Sequence, residues 1–177
     1  KKNEVVYFGK SSNQSKKNLI NLICKLPKIN KSKNKFFSLD DGKILYTFHF
    51  YEPYIFTHQG ADWTPEKTYI TGFPYPFKQN KMPKVPDLND FSELAKDSRR
   101  YYKEATYDYL FNRIKQISDQ AKRQNLPLIC TETGVINFAD INSKSNYLRD
   151  ITSIMTEMDI PVFLWYYDDK FSVIQHR

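Results

Sequence analysis

Side chains that can do chemistry collect near the ends of three predicted strands. His49 and Tyr51 lie in "YTFHFYEP", Glu132 closes the apolar run "LPLICTE", and Trp165 lies in "IPVFLWYYDD". A carboxylate directly after a buried apolar run costs several kcal/mol unless it is paired, so Glu132 needs partners or a function. Sugars are held by aromatic rings that stack on the ring face and by directional hydrogen bonds to the hydroxyls. The combination therefore suits a carbohydrate site.

Each of these residues has an ordinary interpretation when it is considered alone. His49 can be a hydrogen-bonded core histidine, and Tyr51 and Trp165 are more often packing residues. Glu132 is harder to explain by packing. The combination at the ends of different strands favours a functional site.

Strands and helices alternate along the chain. Strands are predicted at 4–9, 43–51, 126–132 and 160–169, and amphipathic helices at 18–26, 107–121 and 147–158. This alternation predicts parallel strands with right-handed crossovers, whose carboxyl ends hold the ligand. Four such strands fit either a small doubly wound sheet or half of a (β/α)8 barrel. The glycine-rich phosphate turn of a dinucleotide-binding sheet is missing after "VVYFG".

A stretch without a long periodic segment, residues 52–91, separates the second strand from the next helix. Loops of this length within a domain are usually functional or disordered. The stretch is rich in aromatic residues, which argues against disorder: Tyr54, Phe56, Trp63, Tyr69, Phe73, Tyr75 and Phe77. We expect part of it to line the site.

Composition excludes several classes of protein. The net charge of +7 is a weak sign of nucleic-acid binding, because the lysines cluster in the Lys/Asn-rich "KINKSKNKFF" and at the first two residues, without a basic helix or an Arg-aromatic platform. We therefore expect no nucleic-acid partner. No apolar stretch is long enough to span a membrane. Cys24 and Cys130 make no disulfide framework, and Cys130 is expected to be a buried thiol. The three histidines lack metal-ligand spacing, so we expect no metal.

Three segments together resemble a known family: "YTFHFYEPYIFTHQGADW", "ICTETGV" and "FLWYYDDKFSV" are similar to the second half of glycoside hydrolase family 5, the cellulase family. The resemblance implies a (β/α)8 barrel, with "VVYFG" as the fifth strand and "FLWYYDD" as the eighth. Residues 1–177 would then be the C-terminal half of a catalytic barrel. The family cleaves β-linked polysaccharides and glycosides with retention, without a cofactor, and a secreted or periplasmic location is favoured.

The resemblance also implies roles for individual residues. Glu132 matches the catalytic nucleophile, His49 and Tyr51 match a His-x-Tyr pair in which the tyrosine orients that nucleophile, and Trp165 matches the aromatic residue that stacks on the sugar. Three residues of the loop motif match one branch of the family and are expected on the substrate side: His58, Gln59 and Trp63.

The acid/base glutamate of the family has no counterpart in this sequence. The family carries it in an Asn-Glu pair at the end of the fourth strand, but Glu4 directly precedes the fifth strand and so belongs to the opposite face of the barrel. Glu52, Asp168 and Asp169 are poor replacements. We therefore predict that a missing N-terminal half supplies the acid and is the partner of this chain. Alone, the chain should hydrolyse little or nothing.

Two other interpretations remain open. The chain can be a non-catalytic carbohydrate-binding remnant that keeps the aromatic loop and Trp165. It can also be an α/β domain whose aromatic residues are all core. Within the enzyme hypothesis, a β-linked glucan is the typical substrate of the family, with mannan and β-1,3-glucan as alternatives.

Overall fold

The computed structural model describes residues 7–8, 45–64, 70–84, 93–165 and 170–173. Several sequence predictions fall outside these residues: the helix at 18–26, the Lys/Asn-rich segment, Asn3, Glu4, Asp168 and Asp169.

Four strands and four helices make up the described fold. In chain order they are β1 (Tyr7–Phe8), β2 (Leu45–Phe50), α1 (Tyr54–Thr57), α2 (Glu93–Glu104), α3 (Tyr107–Arg123), β3 (Leu128–Thr133), α4 (Ile141–Glu157) and β4 (Val162–Leu164), with one 3-10 turn at Gln79–Lys81. The second and third predicted strands and the last two predicted helices are confirmed. The first and fourth predicted strands are confirmed over the shorter ranges of β1 and β4. Helix α2 was not predicted, because its buried positions include Asp97 beside Leu94 and Tyr101, which weakens the apolar pattern.

The strands form one sheet in the order β1-β2-β3-β4. The pairings of β2 with β3 and of β3 with β4 are parallel, as predicted. The expectation of a wholly parallel sheet is wrong for β1, which pairs antiparallel with β2 through Tyr7–Tyr46 and Phe8–Leu45. This two-residue pairing covers only the start of β2, and a sheet edge can be capped from either direction.

A bulge in β3 sets the register of the strand end that carries Glu132. Phe48 pairs with Cys130, whereas the next residue, His49, pairs with Glu132, so Thr131 is an extra residue on β3. Bulges re-aim side chains and are common beside active sites. Here the bulge brings Glu132 level with His49.

The main core lies between the sheet and helices α2 to α4. Phe48, Phe50 and Cys130 contribute from the strands, and the helices supply a larger buried set: Leu94, Tyr101, Leu110, Ile114, Tyr147, Ile151, Ile154 and Met155. Cys130 is fully buried, which confirms the expected buried thiol. Burial raises the pKa of this thiol to about 12, so it stays protonated.

The aromatic stretch after β2 belongs mostly to the core. Phe56, Phe73 and Tyr75 are almost completely buried. The Tyr75 hydroxyl donates to Asp150 at 2.9 Å, and the Tyr101 hydroxyl donates to the Pro74 carbonyl at 2.6 Å. These buried rings anchor the loop to the helices. That part of the stretch lines the site stays a prediction.

Glu52 is occupied by an ion pair on the flank of the sheet. Its two carboxylate oxygens accept from Nε and Nη2 of Arg113, each at 2.9 Å, and Oε2 also accepts from the Tyr109 hydroxyl at 2.9 Å. The Tyr147 hydroxyl donates to the Glu52 carbonyl. Glu52 therefore joins β2 to α3 and α4, which agrees with its rejection as the catalytic acid.

Lys144 joins the segment after β4 to the loop after β3. Its buried ammonium donates to Asn137 Oδ1 and to the Ser172 carbonyl, both at 2.6 Å. The backbone N–H of Asn137 also donates to the Lys170 carbonyl at 2.6 Å. Burial lowers the pKa of Lys144 from its ordinary value of 10.5 to about 8.

The bidentate pair gives a first prediction, for Arg113→Ala. The change leaves the partly buried Glu52 carboxylate without its cation, and we expect the free energy of unfolding to fall by about 2 kcal/mol. Lys115→Ala is the matched control, because Lys115 pairs with Asp119 on the exposed face of the same helix, where water screens the pair and its loss should cost much less. Urea unfolding midpoints measure both, and equal losses would contradict the structural role of the pair.

Lys144 gives a second prediction, on the pH dependence of stability. Because its pKa is lower in the folded chain than in the unfolded chain, the unfolded state binds more protons between the two values, and stability rises with pH there. The free energy of unfolding of the native chain, relative to that of Lys144→Met, should therefore increase from about pH 8 to about pH 10.5. A difference that stays constant over this range would show that the ammonium is not buried.

Candidate active site

Glu132 and His49 meet at the carboxyl end of the parallel strands. His49 Nδ1 lies 3.1 Å from Glu132 Oε2, and the two side chains are 25% and 23% exposed. The residues are paired in register on β2 and β3. The carboxylate is thus held by the neighbouring strand and still has one side open to solvent.

Tyr51 reaches the same carboxylate oxygen from the residue after β2. Its hydroxyl donates to Glu132 Oε2 at 3.4 Å. Burial raises the pKa of Tyr51 far above its usual range, and the negative charge of Glu132 and the hydrogen bond to it raise this pKa further. Tyr51 therefore stays protonated and acts as a hydrogen-bond donor to Glu132.

Trp165 follows β4 and stands beside the end of β3. Its backbone N–H donates to the carbonyl of Thr133, the neighbour of Glu132, at 2.7 Å. Its side chain is partly exposed. A Cβ placed on Gly134 would lie 3.6 Å from Trp165 Cβ and 3.3 Å from Phe171 Cδ1, so the glycine lets both segments approach.

His58 occupies the centre of an aromatic cluster formed by Tyr51, Tyr54, His58, Trp63 and Phe171. The imidazole stacks on Tyr54 with ring centroids 3.8 Å apart, and its centroid lies 5.0 Å from that of Tyr51 and 5.1 Å from that of Phe171. His58 is only 8% exposed. The structure therefore places it directly behind Tyr51.

Gln59 is buried, and its amide is used by the protein backbone. Oε1 accepts from the N–H groups of Gly72 and Phe73, and Nε2 donates to the Phe56 carbonyl at 3.0 Å. These bonds tie the loop at 72–73 to helix α1. A substrate contact of Gln59 stays a prediction, and the contacts seen here support the loop.

Trp63 lies at the exposed rim of the aromatic cluster. Its side chain is about half exposed. The ammonium of Lys170 lies 5.0 Å from the centroid of its ring and 2.7 Å from Asp62 Oδ2. The rim thus joins the loop after α1 to the segment after β4, with an aromatic ring facing solvent.

Sequence reasoning missed three residues that organise the site. Phe171 closes the aromatic cluster, and Lys144 holds the segment that carries it. Thr57 donates to the Tyr51 carbonyl at 2.7 Å. The buried lysine gave a usable signal, since Lys144 occupies the inward face of the amphipathic pattern of α4. For Phe171 and Thr57 no sequence pattern indicates the contact.

The described ranges lack both a metal-binding cluster and a membrane-spanning helix. These ranges hold no cluster of three or more His, Cys, Asp or Glu side chains that could bind a metal ion. They also contain no helix that is long and apolar enough to cross a membrane.

The sequence has curated relatives among bacterial glucanases. It is 33% identical over 144 residues to endoglucanase 3 of Fibrobacter succinogenes, covering 77% of this chain and 21% of that protein. It is 30% identical over 137 residues to endoglucanase C of Acetivibrio thermocellus, covering 73% of this chain and 37% of that protein. The chain thus spans well under half the length of these relatives.

Solved structures share the fold at lower identity. A hyperthermophilic endo-β-1,4-glucanase in complex with substrate superposes with a TM-score of 0.59 at 24% identity, over 79% of this chain and 37% of that one. Thermotoga maritima Cel5A in complex with mannotriose superposes with a TM-score of 0.62 at 18% identity, over 91% of this chain and 48% of that one. The described fold therefore corresponds to part of a (β/α)8 barrel.

The family model described as cellulase, glycosyl hydrolase family 5, matches residues 13–171, which is most of the chain. This match agrees with the resemblance carried by the three sequence segments. The chain belongs to glycosyl hydrolase family 5, the cellulase family.

Proposed function

We propose that this chain is the nucleophile-bearing, C-terminal half of a retaining β-glucan hydrolase, with residues 1–177 forming about strands 5 to 8 of the barrel. The observation that carries the proposal is the shared Oε2 of Glu132, which lies 3.1 Å from His49 Nδ1 and 3.4 Å from the Tyr51 hydroxyl. Two neighbours on one oxygen fix the carboxylate in position, and the Tyr51 hydroxyl donates to it.

In the proposed reaction, the Glu132 carboxylate attacks the anomeric carbon of the sugar and forms a covalent glycosyl-enzyme. The bond from that carbon to the leaving oxygen breaks, and this oxygen takes a proton from a second carboxylic acid about 5–5.5 Å from Glu132. The second group, now a base, deprotonates a water whose oxygen bonds to the anomeric carbon. The bond from that carbon to Glu132 breaks in the same step, which frees the carboxylate and releases the sugar. His49 and Tyr51 hold Glu132 in position through both steps.

We place the second carboxylate in the missing N-terminal half of the barrel. Glu52 is engaged with Arg113 and Tyr109, and Asp62 with Lys170, so neither suits the role. Strand β4 forms one edge of the described sheet, and Phe163 and Leu164 on it are exposed. An N-terminal half that pairs with β4 would cover this edge and complete the site.

The proposed substrate is a β-1,4-linked glucan. The curated relatives include endoglucanases and a cellodextrinase of Ruminococcus flavefaciens, and one structural relative is an endo-β-1,4-glucanase. Trp165 beside β3 and Trp63 at the rim are partly exposed rings that can stack on sugar faces. A relative solved with mannotriose keeps mannan as the first alternative to test.

The second candidate function is carbohydrate binding without turnover. The exposed faces of Trp63 and Trp165 favour it, since both would hold a sugar in the absence of a catalytic acid. The two candidates differ in their need for Glu132. Hydrolysis requires its carboxylate, whereas binding of a sugar does not.

Sequencing of the coding region upstream of Lys1 tests the first candidate directly. An Asn-Glu pair that closes a strand pattern upstream of Asn3 is the expected result, and such a longer polypeptide should hydrolyse β-glucan. A start codon next to Lys1, with no such pair encoded upstream, would contradict the enzyme proposal and leave the binding role.

For that longer polypeptide we predict that Glu132→Gln lowers the hydrolysis of β-glucan by at least about 10³-fold, because the amide cannot form the covalent intermediate. Affinity for cello-oligosaccharides, measured by calorimetry, should change little. Glu157→Gln is the matched control, since this exposed glutamate ends α4 away from the site and should leave the rate unchanged. Full activity in Glu132→Gln would exclude Glu132 as the nucleophile.

A further inference from the structure

His58 is poorly placed to bind a sugar. One face of its ring is covered by Tyr54, with centroids 3.8 Å apart and planes inclined by 22°. Phe171 and Trp63 approach it edge to face, at 5.1 Å and 6.2 Å. A ring that is 8% exposed and enclosed in this way has little surface left for a substrate.

The same enclosure places His58 firmly against Tyr51. The two ring centroids lie 5.0 Å apart with an interplanar angle of 73°, an edge-to-face contact. Phe171 makes a similar contact with Tyr51 at 6.0 Å. The Tyr51 ring therefore rests on an imidazole that other rings keep from moving.

A hydrogen-bonded chain fixes the orientation of the imidazole. The Thr57 hydroxyl lies 2.9 Å from His58 Nδ1 and donates to the Tyr51 carbonyl at 2.7 Å. A hydroxyl has one proton to donate, so Nδ1 of His58 is the donor in the first of these bonds. Thr57 thus binds the backbone of Tyr51 and holds the histidine that packs on its ring.

The hydrogen bond that depends on this support is a long one. The Tyr51 hydroxyl lies 3.4 Å from Glu132 Oε2, at the outer limit for such a bond. A small shift of the ring would break it. The support behind the ring therefore matters more than it would for a short, strong bond.

We propose that His58 is a positioning residue, which holds the Tyr51 ring so that its hydroxyl reaches Glu132. This inference rests on the proposed function and deepens it, because it assigns His58 to the support of the nucleophile and not to the substrate.

A double-mutant cycle in the longer polypeptide tests the proposal. Tyr51→Phe should lower kcat/KM for a soluble cello-oligosaccharide by roughly 10- to 100-fold, the effect of one hydrogen bond to a charged group. His58→Ala should lower it by roughly tenfold through the same bond. In the Tyr51→Phe background, His58→Ala should change kcat/KM by less than about twofold, because the interaction it supports is already gone.

The split between kcat and KM gives a second readout, which a loss of substrate contacts would move differently. Loss of the Tyr51 donor removes a hydrogen bond from the carboxylate of Glu132 and leaves the sugar-stacking rings in place. The loss should therefore fall on kcat with KM little changed in both single variants, and kcat should be the same in the double variant as in Tyr51→Phe. If His58→Ala does not fold, as judged by its thermal midpoint, His58→Gln serves in the same cycle.

Trp165→Ala is the matched comparison outside the aromatic cluster. As a sugar-facing ring it should raise KM when it is removed, and its effect should add to that of Tyr51→Phe. Additive effects of His58→Ala, carried by KM with kcat unchanged, would overturn the positioning role and return His58 to the substrate side. Glu132→Gln, measured in the same series, tests the proposed function separately, so failure of one proposal is distinguishable from failure of the other.

Discussion

The sharing of one carboxylate oxygen of Glu132 between His49 and Tyr51 is the interaction on which the rest of the site depends. A charge at the end of a buried strand is tolerated only when its hydrogen bonds are satisfied. Both partners come from β2 and the residue after it, so the two parallel strands must be in the correct register. The bulge at Thr131 supplies that register. A sheet without it would place Glu132 out of line with His49.

The layers behind these residues keep the geometry in place. Thr57 and His58 support Tyr51, and Phe171 closes the aromatic cluster from the segment after β4. The buried ammonium of Lys144 donates to the Ser172 carbonyl and so holds that segment in place. Burial lowers the pKa of Lys144 because it disfavours the charged form, so this burial costs stability at neutral pH. Family membership and the exposed edge of β4 are consistent with a barrel completed by a second half.

The sequence predicted the parallel strands and the positions of His49, Tyr51 and Glu132, because a buried strand followed by polar residues leaves a clear local pattern. It did not predict the bulge at Thr131 or the direction of β1, since register and pairing depend on contacts between distant segments. Helix α2 was missed because its buried face includes Asp97. The burial of aromatic residues such as Phe73 was also missed, because a sequence does not distinguish a buried aromatic residue from an exposed one. The predicted roles of all the site residues stay predictions: Glu132, His49, Tyr51, Trp165, His58, Gln59 and Trp63.

Trapping of the covalent intermediate tests the central claim most directly. A 2-deoxy-2-fluoro-β-cellobioside with a dinitrophenolate leaving group should glycosylate the longer polypeptide and accumulate, because the fluorine slows hydrolysis of the intermediate. Peptide mass mapping should then find one fluorocellobiosyl group on Glu132, with release of one equivalent of dinitrophenolate. A label on another carboxylate, or turnover of β-glucan with inversion of configuration and no label, would contradict the assignment of Glu132 as the nucleophile.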